Sequence, residues 1–311
     1  MTGPLVITAG GTGGHIFPAL ALASELERRG RTVALAFDER GARYLTDDKE
    51  AFIIQAGSPS GSLSKRWSGM IKLGRGLAQS WWWLKRQRPA AVACFGSYAS
   101  VPIGMAAGFL RLPILVHEQN AVLGRANRMI ARRAGGLALT FAETRHAEMV
   151  AEEQRVLTGN PVRSEIMAHL GDAYRLPGEG EPIEILVIGG SQGARALSDI
   201  LPVAMGRLSG RERSRIRLVQ QCRPEDLERV EQAYKSLGFK AELKEFFHDL
   251  PARLAKAHLI ISRAGASSVA EMLVLGRPSI LIPLPSSLEG DQLANAEVVA
   301  AADAGWLMQE T

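Results

Sequence analysis

One structural unit is spelled out twice in this chain, and the repeat limits the fold more than any other feature. Leu5–Ala9 is an apolar run that breaks into Gly10-Gly11-Thr12-Gly13-Gly14-His15, and Phe17–Arg29 then follows with helical periodicity. About 180 residues later, Ile183–Ile188 runs into Gly189-Gly190-Ser191-Gln192-Gly193-Ala194, and a helical segment starts at Arg195. Strand, glycine loop and helix in that order let backbone N–H groups approach an anion at a helix N-terminus. Repetition at that distance predicts two similar α/β domains instead of one large sheet.

Neither loop is the dinucleotide fingerprint. Gly11-x-Gly13 would need glycine at 16, where Ile16 stands, and Gly189-x-Ser191 fails at its second position. Asp38 closes a second strand, Val33–Phe37, at the place where a nicotinamide enzyme keeps its ribose acid, so a dehydrogenase stands as a weak rival.

Two more strands, Ala91–Phe95 and Pro113–His117, end in Gly96-Ser97-Tyr98 and His117-Glu118-Gln119-Asn120. Ligands of open α/β sheets collect at the carboxyl ends of strands. His15, beside the first loop, is therefore a candidate general base, while the His117-Glu118 pair reads equally as a structural ion pair. The chain turns sharply at Thr158–Arg163, which sets the expected domains at 1–160 and 161–311. In the second, His258–Ser262 reads as a strand, Ser267–Leu275 as a helix stopped by Gly276 and Pro278, and Ser279–Leu284 as a strand. Ser268 and Glu271 fit a capping box. Glu271, Gln292 and Asn295 also suit a sugar or ribose, because amides donate and accept where a carboxylate only accepts. A capping glutamate with two solvated amides is the equal alternative.

Charge is unevenly placed. Residues 1–160 carry 20 Lys and Arg against 12 Asp and Glu, a balance of +8; the remainder carries 17 against 20, a balance of −3. No acidic residue occurs between Glu50 and Glu118. The first half is built to meet something negative. Within Lys65–Arg88, Met70, Leu73, Leu77, Trp81 and Leu84 recur at helical spacing as a packing stripe. Trp67, Trp82 and Trp83 fall off it, among cations. Tryptophan beside Lys and Arg suits an anionic bilayer surface, so Trp67, Lys72, Arg75, Trp81, Trp82, Trp83, Lys85 and Arg86 are expected at a membrane. A buried helix with snorkelling cations is the alternative. Nucleic acid is not expected, since no recognition motif accompanies the charge.

Several classes are disfavoured. Cys94 and Cys222 sit far apart, which predicts neither a disulfide nor a zinc site and points to a reducing compartment. The N-terminus enters a strand at once and lacks the charged region of a signal peptide. The uncharged run Pro89–Leu110 is broken by prolines and glycines, and reads as strand, turn and helix instead of a membrane span. With no D-x-D triplet, and with His146, His169, His248 and His258 lacking ligand spacing, no metal or cofactor is expected.

Taken together, GGTGGHIFPALALA (10–23), HEQNAVLGRANR (117–128), GNPVR (159–163), GGSQGA (189–194), SRAGASSVAE (262–271) and DQLANA (291–296) resemble the MurG family. These enzymes transfer N-acetylglucosamine from UDP-GlcNAc to lipid I, giving lipid II for peptidoglycan. The resemblance implies a GT-B fold, with two Rossmann-like domains whose parallel sheets face a central cleft, acceptor in the first and donor in the second. It implies that Gly10, Gly11, Tyr98 and His117 face lipid I. His15 would be the base, with Glu118 as the other candidate. Thr12, Gly13, Gly14, Asn120, Arg163, Ser191, Gln192, Phe247 (by its backbone), Ala266, Glu271, Gln292 and Asn295 would serve UDP-GlcNAc. The tryptophan-bearing segment would seat the enzyme on the cytoplasmic face of the inner membrane. The family usually has two glycines before the tyrosine, where this chain has Gly96-Ser97, which stiffens that loop. It also usually continues some tens of residues beyond the point matching Thr311, so a last helix is expected to be missing. Related readings are another GT-B UDP-sugar transferase, a UDP-GlcNAc epimerase, and a non-catalytic UDP-sugar-binding module.

Overall fold

A computed structural model describes residues 3–45, 49–57, 63–190 and 194–310, with backbone alone at 63–66 and 288. The chain divides into two compact units, Met1–Arg163 and Ser164–Thr311, a few residues past the junction expected from the sequence.

The first unit runs β1 (Leu5–Ala9), α1 (Gly13–Arg28), β2 (Val33–Phe37), α2 (Glu39–Ala42), β3 (Ala51–Ile53), α3 (Leu63–Gln87), β4 (Ala91–Cys94), α4 (Ser97–Phe109), β5 (Ile114–Glu118), α5 (Arg125–Ala131), β6 (Gly136–Leu139) and β7 (Arg155–Leu157). Its strands form one sheet in the order β3-β2-β1-β4-β5-β6-β7, and every pair is parallel. Parallel strands need crossovers, and the crossovers cover both faces, so the strand sequences are apolar without alternation. Neighbours on β1 then belong to different cores. Val6 packs with Leu84, Ile103 and Leu137, whereas Ile7 packs with Ile16, Phe37 and Phe95. Burying each such side chain contributes roughly 1.5–3 kcal/mol. β1 pairs in register with β2 and β4, so the strand order reverses between β1 and β4, and both loops that follow open at the same edge.

Helix α3 corrects the stripe read from the sequence. Leu73, Leu77, Trp81, Trp83 and Leu84 pack on the core, but Met70 is exposed. Trp83 stacks flat on Phe52, with centroids 4.5 Å apart, and is a packing residue instead of a membrane contact. Gly76 permits a close approach: a Cβ there would lie 2.0 Å from the Gln55 carbonyl, so the helix comes nearer to the chain after β3 than any side chain would allow.

The second unit runs α6 (Ser164–Met167), β8 (Ile183–Ile188), α7 (Arg195–Arg207), α8 (Gly210–Ser214), β9 (Ile216–Gln221), α9 (Leu227–Ser236), β10 (Ala241–Lys244), α10 (Leu250–Lys256), β11 (Leu259–Ser262), α11 (Ala266–Val274), β12 (Ser279–Leu281), α12 (Asp291–Ala301) and β13 (Trp306–Leu307). The sheet order is β10-β9-β8-β11-β12-β13, again parallel throughout, with the reversal between β8 and β11. The expected capping box at Ser268 and Glu271 does not form. Helix α11 starts at Ala266 with Gly265 as its N-cap, so Ser268 already lies inside the first turn. A capping box does form at Ser209 with Glu212, at the start of α8, with the same S-x-x-E spacing.

Candidate active site

In the first unit the site is assembled where β1 and β4 part. Gly10 must be glycine, because a Cβ would stand 2.2 Å from Ala99 Cβ. Gly11 adopts φ +81, and its N–H donates to Asp38 Oδ1 at 3.1 Å. Gly41 N–H donates to the same oxygen at 2.8 Å, and the Arg40 guanidinium takes the other oxygen at 3.3 Å. Asp38 is therefore a strut between the glycine loop and α2, which removes the ribose acid on which the dehydrogenase rival depends. Thr12 caps α1 by backbone alone; it is exposed, and the first turn of the helix carries no acidic residue. An uncapped helix start of this kind is suited to an anion.

In the first turn of α1, His15 Nδ1 lies 2.8 Å from Gln119 Oε1. Gln119 follows β5 and is fully buried; its Nε2 is 3.0 Å from both His117 Nδ1 and the His117 carbonyl. His117 Nε2 meets the Gly159 carbonyl at 3.0 Å, and its ring stacks on Phe95. Burial pushes the His117 imidazole down to about 4, against a smaller opposing effect of the Gly159 carbonyl, so it is neutral at pH 7. With its ring enclosed, His117 supports His15 from behind and does not reach out to a substrate.

Glu118 is corrected as a candidate base. It is buried, and its carboxylate accepts four hydrogen bonds: Oε1 from the Asn120 N–H (3.0 Å) and Nδ2 (3.1 Å), Oε2 from the Gly124 N–H (3.0 Å) and Asn127 Nδ2 (2.8 Å). Four donors fill a carboxylate's acceptor sites, leaving no lone pair for a substrate proton. Its task is to fold the 120–124 loop onto α5. Asn120 is thereby fixed in place, half-buried, at the sheet edge. Tyr98 starts α4 half-buried against the core, two residues after Gly96. Gly96 has φ +90 and Ser97 φ +66, so the position usually held by a second glycine demands a left-handed backbone even of serine. Arg163 lies with its guanidinium 4.7 Å from the centroid of the Phe17 ring, which itself closes on Gly13.

In the second unit, Ala266 opens α11 and Glu271 is buried in its second turn. Gln292 accepts the Leu284 N–H on Oε1 at 3.0 Å, which fixes the orientation of its amide. Asn295, expected on the sugar, is fully buried, and its Nδ2 donates to the Ala264 carbonyl at 3.0 Å. It ties α12 to the turn before α11 and shapes the site from behind. Phe247 is buried beneath the Arg253 guanidinium, 4.7 Å away, and Arg253 is itself held by Glu242 and Asp249. Ser191 and Gln192 lie outside the described residues. A hollow of about 730 Å³ opens at the opposite edge of this sheet, near Glu184, Ile216 and Ala241, away from every candidate residue.

Three contributors escaped sequence reasoning: Gln119, Asn127 and Arg263. Arg263 is a buried cation after β11 that donates to the Ile282 and Pro283 carbonyls and pairs with Glu310 at 2.7 Å. Asn127 had no local signal, because it reaches Glu118 only once α5 packs beside β5. The pattern HEQN did mark Gln119, but its partner His15 is 104 positions away in sequence.

Two parallel Rossmann-like units, each with a glycine loop at its point of strand reversal, make up a GT-B fold. Residues 5–138 match the glycosyltransferase family 28 N-terminal domain and residues 184–311 its C-terminal domain. The UDP-N-acetylglucosamine--N-acetylmuramyl-(pentapeptide) pyrophosphoryl-undecaprenol N-acetylglucosamine transferase of Paramagnetospirillum magneticum is 51% identical over 99% of this chain and 84% of its own length. The protein of the same name from Granulibacter bethesdensis is 43% identical over 99% and 81%. The crystal structure of Acinetobacter baumannii MurG superposes with a TM-score of 0.77 at 28% identity, covering 98% of this chain and 85% of that one. A UDP-GlcNAc 2-epimerase from Neisseria meningitidis shares the fold alone, at TM-score 0.66 and 14% identity. The chain belongs to the MurG family.

Proposed function

We propose that this glycosyltransferase moves N-acetylglucosamine from UDP-GlcNAc to the 4-hydroxyl of the N-acetylmuramyl residue of lipid I, releasing UDP and forming lipid II. The observation that carries the reading is the placement of His15, on the second helical residue pair of α1, beside an uncapped helix start and with its Nδ1 against a buried amide. His15 Nε2 takes the proton of the acceptor hydroxyl as that oxygen attacks the anomeric carbon and UDP leaves from the opposite face, which inverts the configuration. Arg163, Ser191 and the helix N-termini offset the charge that develops on the departing diphosphate. Residues 1–163 serve the acceptor, with Gly10, Gly11 and Tyr98 on its side, and residues 164–311 the donor, with Glu271 at the ribose hydroxyls and Gln292 at the sugar.

The outer face of α3 supports attachment to an anionic bilayer. Trp67 and Trp82 are 66% and 67% exposed, Met70 and Ile71 are exposed between them, and Lys72, Arg75, Lys85 and Arg86 share the solvent side. Lys85 Nζ sits 4.8 Å from the Trp81 ring, half-buried at the margin of this face. Among the described residues no helix is long and apolar enough to cross a membrane. Membership of the family supports a peripheral seat on the cytoplasmic face of the inner membrane, where lipid I would present its sugar.

The test is GlcNAc transfer to a lipid I analogue by the 311-residue chain, beside His15→Ala. The expected result is turnover by the native chain and a loss of at least about 10²-fold in the variant, with UDP-GlcNAc still raising the melting temperature of both. Transfer undiminished in His15→Ala would overturn the assignment of the base, and no transfer by the native chain would overturn the activity.

A further inference from the structure

We propose that Gln119 is a positioning residue: a one-way chain of hydrogen bonds from the Gly159 carbonyl through His117 and Gln119 holds the proton of His15 on Nδ1 and keeps Nε2 open as the proton acceptor. The proposal rests on the reading of His15 as the base and adds what sets its chemical state.

The direction of the chain follows from its anchor. A backbone carbonyl only accepts, so His117 Nε2, 3.0 Å from the Gly159 oxygen, must carry a hydrogen. Burial keeps His117 neutral, and a neutral imidazole has a single N–H, so its Nδ1 is a bare lone pair. The Gln119 atom 3.0 Å from that lone pair must then be the NH₂ group. The second hydrogen of that group goes to the His117 carbonyl, also at 3.0 Å, which fixes the amide a second time. The other end of the amide, Oε1, is left facing His15 Nδ1 at 2.8 Å. An amide oxygen only accepts, so Nδ1 of His15 carries a hydrogen, and in the neutral ring Nε2 is then the bare lone pair. Each link permits one orientation once the previous one is set.

The consequence is specific to the reaction. A histidine base works only through its unprotonated nitrogen, and the outward Nε2 of His15 is that nitrogen only in this tautomer. A neutral amide fixes the tautomer without a charge of its own, unlike a carboxylate, which would also stabilise the imidazolium strongly and hold on to the proton after transfer. Gly96 lies against the same ring: a Cβ there would stand 3.2 Å from His15 Nδ1 and Cε1, so only glycine leaves the imidazole its place. Gln119 touches neither substrate nor reacting atom; it acts through His15.

The experiment is a long-range ¹H–¹⁵N correlation spectrum of the ¹⁵N-histidine-labelled 311-residue chain at pH 7.5, which separates the two neutral tautomers, with His15 assigned by its loss in His15→Ala. The native chain is expected to show His15 as the Nδ1–H form and His117 as the Nε2–H form. Gln119→Leu, of similar size but unable to accept, is expected to move His15 away from the Nδ1–H form and to lower kcat about 10²-fold with the KM for UDP-GlcNAc little changed. Native His15 in the Nε2–H form overturns the proposal without any variant. So does Gln119→Leu with kcat lowered but the native tautomer kept, which would make the residue merely structural. Because the spectrum reads no turnover, these failures are separable from failure of the transferase reading, which appears as an inactive native chain.

Discussion

The Cα of Gly96 faces the imidazole of His15 so closely that a single methyl group added to it would lie 3.2 Å from two ring atoms. Gly96→Ala therefore asks for two changes at once: a non-glycine residue at φ +90, ψ −166, and a shifted base. The backbone cost is about 1–3 kcal/mol. The expected outcome is a kcat at least tenfold lower with the KM for UDP-GlcNAc little changed, by steady-state kinetics. Ser97→Gly, at φ +66, is the control: relief of the left-handed backbone and the extra freedom of the unfolded chain nearly offset, so stability shifts by less than about 1 kcal/mol and turnover persists.

Glu118 separates a structural from a chemical carboxylate. Glu118→Gln puts an NH₂ group where two donors already point, and is expected to destabilise by about 2 kcal/mol, measured by urea unfolding. Activity per folded molecule is expected to fall much less than in His15→Ala. A variant that stays as stable as the native chain yet loses turnover 10²-fold would make Glu118 the base after all.

Stability should carry the imprint of His117. Its folded value of about 4 lies below the ordinary 6.5, so the unfolded chain binds more protons between those limits. The contribution is complete above pH 6.5 and is lost as pH falls toward 4. Between pH 7 and pH 5 the native chain should lose about 2 kcal/mol that His117→Asn does not lose, read from urea midpoints at the two pH values.

The tryptophans of α3 make unlike predictions, although Trp82 and Trp83 are adjacent. Trp67→Ser combined with Trp82→Ser should weaken sedimentation with anionic vesicles about tenfold, and raised salt should weaken it further. Trp83→Ala should leave vesicle binding unchanged and lower stability by roughly 2 kcal/mol, because its ring is stacked on Phe52. The reverse pattern would mean that the outer face of α3 is not the membrane contact.

Local sequence was enough for everything that depends on neighbours in the chain. Leu5–Ala9 and Ile183–Ile188 are apolar runs ended by glycine, and each became a central strand opening on a loop at a strand reversal. The cations of 65–88 with no acidic residue among them announced a charged face, because charge is additive and needs no fold to be counted. Non-local pairing decided the rest. β3, β6, β7 and β13 are two to four residues long, too short to carry periodicity, and exist as strands because a neighbour offers a ladder. S-x-x-E at Ser268 looked like a cap, yet Gly265 set the helix start first. Which tryptophan of three in a row meets solvent was decided by where Phe52 lies. Asn295 and Glu118 carry polar groups that sequence reads as chemistry, and the fold spends both on holding backbone, since a buried polar atom must find its partner inside the protein. Only the folded chain brings Gln119 to His15 across 104 residues, so the hydrogen-bond partner of that imidazole is a property of the tertiary structure.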